Sequence, residues 1–171
     1  MTVWTDLESD REAEWSPEFG MRLALEEAMR GARLGEVPIG AVVMQGDEVL
    51  SRAHNFRETW RDPTAHAELI ALRQAALRRG GWRLFDCQMY VTLEPCAMCA
   101  GAILQARIDH LYYGAVDTKG GAIVSQVQLY QSPGWNHHPA VTGGILAEEC
   151  GIVLKNFFQE VRQTMRPRRD V

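Results

Sequence analysis

Residues 87–113 read CQMYVTLEPCAMCAGAILQARIDHLYY, and the order of elements they imply decides the fold class. Cys87 to Leu93 is a short apolar, aromatic and β-branched run of the kind that forms a buried strand. Pro95 suits a helix start and opens a helix of small residues from Cys96 to about Gln105. His110 to Tyr113 then reads as a second strand.

Upstream of this unit, Thr64 is placed to cap a helix over residues 65–79 whose apolar stripe is Leu69, Leu72, Ala76 and Leu77, with Gly80-Gly81 ending it. Asn55 to Pro63 is a polar loop. Before it, Val37 to Met44 and Glu48 to His54 flank a Gly46-Asp47 turn and predict a β-hairpin. A first helix starts at Ser16-Pro17-Glu18, with Ser16 as cap, and carries Phe19, Leu23, Met29 and Ala32 at helical spacing up to Gly35. Downstream, residues 117–134 are glycine-bearing and ambiguous. Residues 145–164 predict a long final helix with Ile145, Leu146, Val153, Leu154, Phe157, Phe158 and Val161 as its apolar positions. This alternation implies an α/β fold, a mixed sheet with helices on both faces.

The 171 residues are 46% hydrophobic and 23% charged, enough for one compact domain with a sizeable core and unlike disordered, coiled-coil or repeat chains. We divide the chain into an acidic extension, residues 1–16, and a domain, residues 17–171. No apolar run approaches the ~20 residues of a membrane span, and the amino terminus lacks an apolar signal region, so a cytoplasmic protein is expected. The net charge of −4 argues at first against a nucleic-acid partner. Its distribution removes that objection. Residues 1–18 hold six acidic groups against Arg11 alone, which leaves the rest of the chain at +1. Near the carboxyl terminus Arg162, Arg166, Arg168 and Arg169 face only Glu160 and Asp170.

Four cysteines are too few for a disulfide framework, and two of them, Cys96 and Cys99, stand three apart behind a proline. Thiolate and imidazole are preferred zinc ligands, and a catalytic zinc keeps three protein ligands and an open fourth position. His66, Cys96 and Cys99 supply three. Cys87 and Cys150 read as small core residues. Glu68 lies two positions from His66, where a carboxylate can take a proton from an attacking water and pass it to a leaving group. Positions i and i+2 of a regular helix point about 200° apart, so His66 and Glu68 can share a site only if His66 sits at a helix start, outside the regular spiral.

His-x-Glu followed by Pro-Cys-x-x-Cys is the signature of the zinc-dependent nucleoside deaminases. DPTAHAELIALR (Asp62 to Arg73), YVTLEPCAMCAGAI (Tyr90 to Ile103), EVPIGAVV (Glu36 to Val43), PGWNH (Pro133 to His137) and GILAEEC (Gly144 to Cys150) together resemble the bacterial tRNA-specific adenosine deaminases, over about residues 19–162. The sequence departs from that family at Trp4 and Trp15 in the extension, and at Val116 and Lys155.

The resemblance implies a three-layer α/β/α fold with a central mixed five-stranded sheet, of the cytidine deaminase-like kind. It implies a homodimer with one Zn²⁺ per subunit that converts adenosine to inosine at position 34, the wobble position, of a tRNA anticodon loop. Zn²⁺ held by His66, Cys96 and Cys99 activates the water that attacks C6 of adenine, and Glu68 shuttles the proton. By the same resemblance Asn55 and the Ala67 backbone contact the base, and Val37, Pro38 and Ile39 wall it. Asp117 lies near the ribose, while Asn136, His137 and Phe158 grip the anticodon loop or line the pocket mouth. From the residues alone, Asn55 and Asp117 also have a turn-forming reading, and only one of the adjacent Phe157 and Phe158 can be free to stack. Two rival functions remain: deamination of a small base such as guanine or cytidine, and a zinc-stabilised RNA-binding subunit without chemistry.

Overall fold

The computed structural model describes residues 16–164, so the acidic extension, apart from Ser16, and the arginines at 166, 168 and 169 lie outside the described residues. Helix α1 (Pro17–Arg33) leads into strands β1 (Gly40–Gln45) and β2 (Glu48–His54), the short helix α2 (Arg57–Trp60) and helix α3 (Ala67–Arg79). Strand β3 (Cys87–Leu93), helix α4 (Ala97–Gln105) and strand β4 (His110–Ala115) follow. A 3₁₀ turn (Leu129–Gln131), strand β5 (Ala140–Thr142) and helix α5 (Ala147–Thr164) complete the order.

The five strands form one sheet in the order β2-β1-β3-β4-β5. β1 pairs antiparallel with both β2 and β3, and β3, β4 and β5 run parallel. Alternation along the strands divides the core in two. Ala41, Val43, Met89, Val91, Leu111 and Tyr113 face α3 and α4, while Val42, Met44 and Tyr90 face the α1 and α5 side. This is the three-layer α/β/α arrangement expected, with β3 covered on both sides. Among the described residues no helix is long and apolar enough to cross a membrane.

Several boundaries and faces differ from expectation for identifiable reasons. The stripe expected on α1 is not its buried face: Phe19 and Met29 are 43% and 45% exposed, and the helix buries Gly20, Met21, Ala24, Glu27, Ala28 and Gly31. Small residues allow a close approach that long ones would block. A Cβ on Gly20 would stand 2.6 Å from the Tyr90 ring, and one on Gly40 would collide with the Ala24 carbonyl. On α3, Leu77 is 76% exposed, and Ile70, Ala71 and Ala75 take the buried positions instead.

Ser16 stands at the α1 N-cap without a side-chain capping bond. Thr64 does not cap α3 either; its N–H and hydroxyl both go to Asp62 Oδ1 at 2.7 Å, forming a turn one residue before the helix entry. β1 begins at Gly40, because Pro38 carries no N–H for a ladder and Ile39 N–H turns back to the Val37 carbonyl at 2.8 Å. α5 begins at Ala147, and only Cys150 on it is buried; Val153, Leu154, Phe157 and Val161 are half-buried.

Two elements had no counterpart in the sequence reading. β5 is three residues long and sits at the sheet edge. α2 lies inside the expected polar loop, and its start is held from a distance: buried Glu36 accepts the N–H groups of Thr59 at 2.7 Å and Glu58 at 3.2 Å. Burial works to raise the Glu36 pKa, yet these hydrogen bonds outweigh it and hold the carboxyl below its ordinary 4.5. A depressed folded pKa stabilises the protein above the unfolded value and loses that contribution as pH falls through the folded one. Glu36→Ala, which orphans both N–H groups, is expected to cost about 1–3 kcal/mol in urea denaturation at pH 7. Glu36→Gln should flatten the loss of stability below about pH 4.5.

Candidate active site

The parallel pairing of β3 with β4 creates the site, since ligands of such sheets lie in the crevice outside the carboxyl ends of the strands. The chain leaves β3 at Leu93 and enters α4 through Glu94-Pro95-Cys96. Cys96 is the N-cap residue, extended at φ −71° and ψ 172°, and Cys99 lies in the first turn. His66 is the N-cap residue of α3, likewise extended at φ −80° and ψ 148°. Two helix starts therefore meet at one point. Their positive ends favour anions there, which suits thiolate ligands.

His66 Nδ1 lies 3.5 Å from Cys99 Sγ and 3.8 Å from Cys96 Sγ. The three ligand atoms all fall within 4.8 Å of one another. With the usual zinc–nitrogen and zinc–sulfur bond lengths, tetrahedral ligands stand about 3.6 Å apart for N and S. The triangle fits a small tetrahedral cation. Within the group Cys96 is lowered to about 4, first by the Cys99 thiol and then by His66, against an opposing burial effect. Cys99 is raised, and His66 is raised by its hydrogen bond with Cys96. Cys87 and Cys150 are buried elsewhere and do not join the group.

The extended backbone of His66 resolves the angular conflict with Glu68. Because His66 precedes the helix proper and Glu68 is its second residue, the two side chains need not diverge as they would mid-helix. Glu68 is 4% exposed, and its Oε2 has no hydrogen-bond partner among the described residues. An unpaired buried carboxylate oxygen costs stability, and it is found here beside the ligand group. Burial pushes the Glu68 carboxyl up, opposed by its own backbone N–H and by the His66 charge.

Asn55 is buried, and its Oδ1 accepts the Ala67 N–H at 2.9 Å. It thus supplies the cap that neither Thr64 nor His66 provides, while joining the end of β2 to the start of α3. With the Ala67 N–H so engaged, Asn55 and Ala67 form one unit beside the ligands. Asn55 N–H reaches the Ile39 carbonyl at 3.3 Å, which brings the half-buried Val37 and Ile39 and the buried Pro38 alongside.

Asp117 lies on the loop after β4, and its Oδ1 accepts the N–H groups of Lys119 and Gly120 at 3.0 and 3.1 Å, a turn-forming use of the side chain. His137 Nε2 meets the Ile108 carbonyl at 2.7 Å, and Asn136 is exposed next to it. Phe158 is exposed on α5 and pairs edge-on with half-buried Phe157. No hydrogen bond among the described residues joins Asn136, His137 or Phe158 to the metal-ligand group.

Two further residues escaped the sequence reading. Tyr130 is buried and donates to the Ala100 carbonyl at 3.0 Å, bracing α4; burial, together with the charges of Cys99 and Glu68, raises its pKa. Glu94 is buried and gathers the loop that begins at Asp117. Its signal was its place between an apolar strand and a proline, but its partners are 23 to 31 residues away.

Residues 16–162 match the sequence family described as MafB19-like deaminase. The tRNA-specific adenosine deaminase of Bacillus subtilis (strain 168) is 43% identical over 152 residues, covering 89% of this chain and 94% of that protein. The tRNA-specific adenosine deaminase of Haemophilus influenzae is 47% identical over 144 residues, covering 84% and 83%. A solved structure from work on A-to-I editing by tRNA:A34 deaminases at the wobble position of transfer RNA superposes with a TM-score of 0.77 at 45% identity, over 79% of this chain and 98% of that one. A guanine deaminase from Bacillus subtilis superposes with a TM-score of 0.59 at 28% identity, over 92% and 99%.

Proposed function

This chain belongs to the MafB19-like deaminase family and to the tRNA-specific adenosine deaminases, it converts adenosine to inosine at the wobble position of tRNA, and we propose the following division of labour among its residues. The observation that carries it is the meeting of His66, Cys96 and Cys99 with Glu68, whose Oε2 has no partner among the described residues.

His66, Cys96 and Cys99 hold a zinc ion, which when bound supplies the Lewis acidity that makes water a nucleophile near neutral pH. Glu68 takes a proton from the attacking water at Oε2 and hands it to the purine ring nitrogen as C6 becomes tetrahedral, then takes the second proton from the C6 hydroxyl and passes it to the amine as the C6–N bond breaks and the carbonyl forms. Water is consumed and ammonia leaves. Burial of Glu68 keeps competing solvent away and suits its carboxyl to both accepting and returning the proton. Asn55, its oxygen committed to Ala67, offers its amide hydrogens to the base. Val37, Pro38 and Ile39 wall the base, and Asp117, Asn136, His137 and Phe158 meet the ribose and the anticodon loop.

The enzyme acts as a homodimer with its active sites in the α3–α4 layer. Two adjoining cavities of about 400 and 390 Å³ on that layer share Leu69 and Arg73, and the exposed Trp60, Leu77 and Trp82 border them, an apolar surface of the kind one copy covers on another. Light scattering should give twice the chain mass.

The assay that tests the function compares an RNA anticodon stem-loop carrying adenosine 34 with free adenosine, cytidine and guanine. Inosine is expected in the RNA, at a kcat/KM on the order of 10²-fold or more above any free base, because the loop supplies binding energy that a lone base lacks. Turnover of guanine or cytidine with none of the RNA would overturn it.

A further inference from the structure

The chemistry above leaves Glu94 without a task. It is buried, yet its carboxylate holds five hydrogen bonds, all from a single loop. Oε1 accepts the N–H groups of Ile123, Val124 and Ser125 at 3.1, 2.8 and 3.0 Å. Oε2 accepts the Asp117 N–H at 3.1 Å and the Ser125 hydroxyl. Both lone-pair systems of the carboxylate are in use, and successive N–H groups wrapped round one oxygen form a concavity made for an anion.

The place of this cluster is informative. Leu93 pairs with Ala115 across the parallel strands, so Glu94 and the loop after β4 leave the same end of the sheet as the metal-binding turn. The loop is joined to that turn: Ala122 N–H reaches the Pro95 carbonyl at 2.8 Å, and Gly121 bridges Cys96. The fit leaves no room for a side chain, since a Cβ on Gly121 would run into the Glu94 carboxylate. Although its backbone is held so firmly, the segment presents Val116, Lys119 and Val124 to solvent, as a preformed contact surface does. The bridge bears on the backbone on one side of Cys96, while α4 holds the other side, its Ala100 N–H closing on the Cys96 carbonyl at 2.8 Å, and Cys99 lies within that helix.

We propose that Glu94 is a positioning residue that latches residues 117–125 against the metal-binding turn and thereby sets how tightly the substrate RNA is held, leaving the chemical step and the metal to other groups. The inference rests on the functional reading above. Glutamine at this site would turn an NH₂ group toward N–H donors whichever way it flipped, releasing about half the latch. Alanine at Gly121 would keep the carboxylate and push the loop away.

The test compares wild type, Glu94→Gln and Gly121→Ala by KM and kcat on the anticodon stem-loop, by metal per chain, and by amide hydrogen exchange at Ile123, Val124 and Ser125. In both variants KM is expected to rise by about tenfold or more and exchange to quicken, with kcat and metal content within about twofold of wild type. The double variant should be no worse than the poorer single one, because both changes release the same contact. Unchanged exchange, or a fall in kcat and metal content with KM unmoved, overturns the latch. Should Glu94→Gln fail to fold, Ser125→Ala removes only the hydroxyl bond, and a KM and exchange rate equal to wild type there would equally overturn it. Should wild type leave the RNA unconverted, the functional reading falls, while the exchange measurement still judges the latch.

Discussion

Glu68→Gln is expected to lower kcat by about 10²–10⁴-fold while the protein keeps its metal and its fold. The amide matches the carboxyl in size but cannot take up and return a proton, so the loss falls on the chemical step and KM should change little. The structure adds a second expectation. Glu68 Oε2 is buried without a partner among the described residues, and burial raises the carboxyl's pKa, so the native residue burdens the fold. Glutamine removes a carboxyl whose charged form burial disfavours, and thermal unfolding of Glu68→Gln should occur at or above the wild-type temperature. Activity and stability would thus move in opposite directions at one atom, as they do where strain is kept for function. A kcat within about threefold of wild type would remove Glu68 from the proton path.

Withdrawal of the metal by a strong chelator is expected to abolish turnover and to loosen the fold together. The ligand atoms come from two helix starts, 30 and 33 residues apart in sequence for the two cysteines against His66, and a bound cation ties them. At a metal concentration about a thousandfold above its dissociation constant, binding adds about 4 kcal/mol to stability. For a domain of this size that moves the unfolding temperature by roughly 8–16 °C. Calorimetry with and without chelator, followed by restoration with zinc, reads both effects. Cys99→Ala should reproduce the chelated state. Cys87→Ala and Cys150→Ala should keep full metal, because those thiols are buried away from the ligand group; metal lost from either would show the ligand set to be wrong.

The meeting of His66, Cys96 and Cys99 was legible because each residue of the candidate site is specified locally. His66 and Glu68 are two apart, and Cys96 and Cys99 three apart behind Pro95, so spacing and side-chain chemistry alone name the group, and the angular conflict at His66 foretells a helix start. Its cap, however, was misplaced. Thr64 looks like the natural choice in sequence, but Asp62 engages it, and Asn55 reaches across twelve positions to do the work.

The helix faces were misread where packing is close. On α1 the longest apolar residues made the more convincing stripe, while Gly20, Ala24 and Gly31 make the contact, since burial there is a matter of backbone approach more than of side-chain size. β5 was invisible for a related reason: three residues at an edge carry no periodicity, and only an existing β4 gives them a ladder to join.

By itself, then, the sequence determined the α/β alternation and named His66, Cys96 and Cys99 as one group, which the structure brings together, because periodicity and short spacings are written along the chain. Tertiary structure decided what holds those groups in place. Asn55 on Ala67, Glu36 on α2 and Glu94 on residues 117–125 are each a buried polar side chain meeting backbone N–H groups far along the chain. Such pairs form because a buried donor left unmatched is costly, and which donor meets which acceptor is settled only when the sheet brings their elements together.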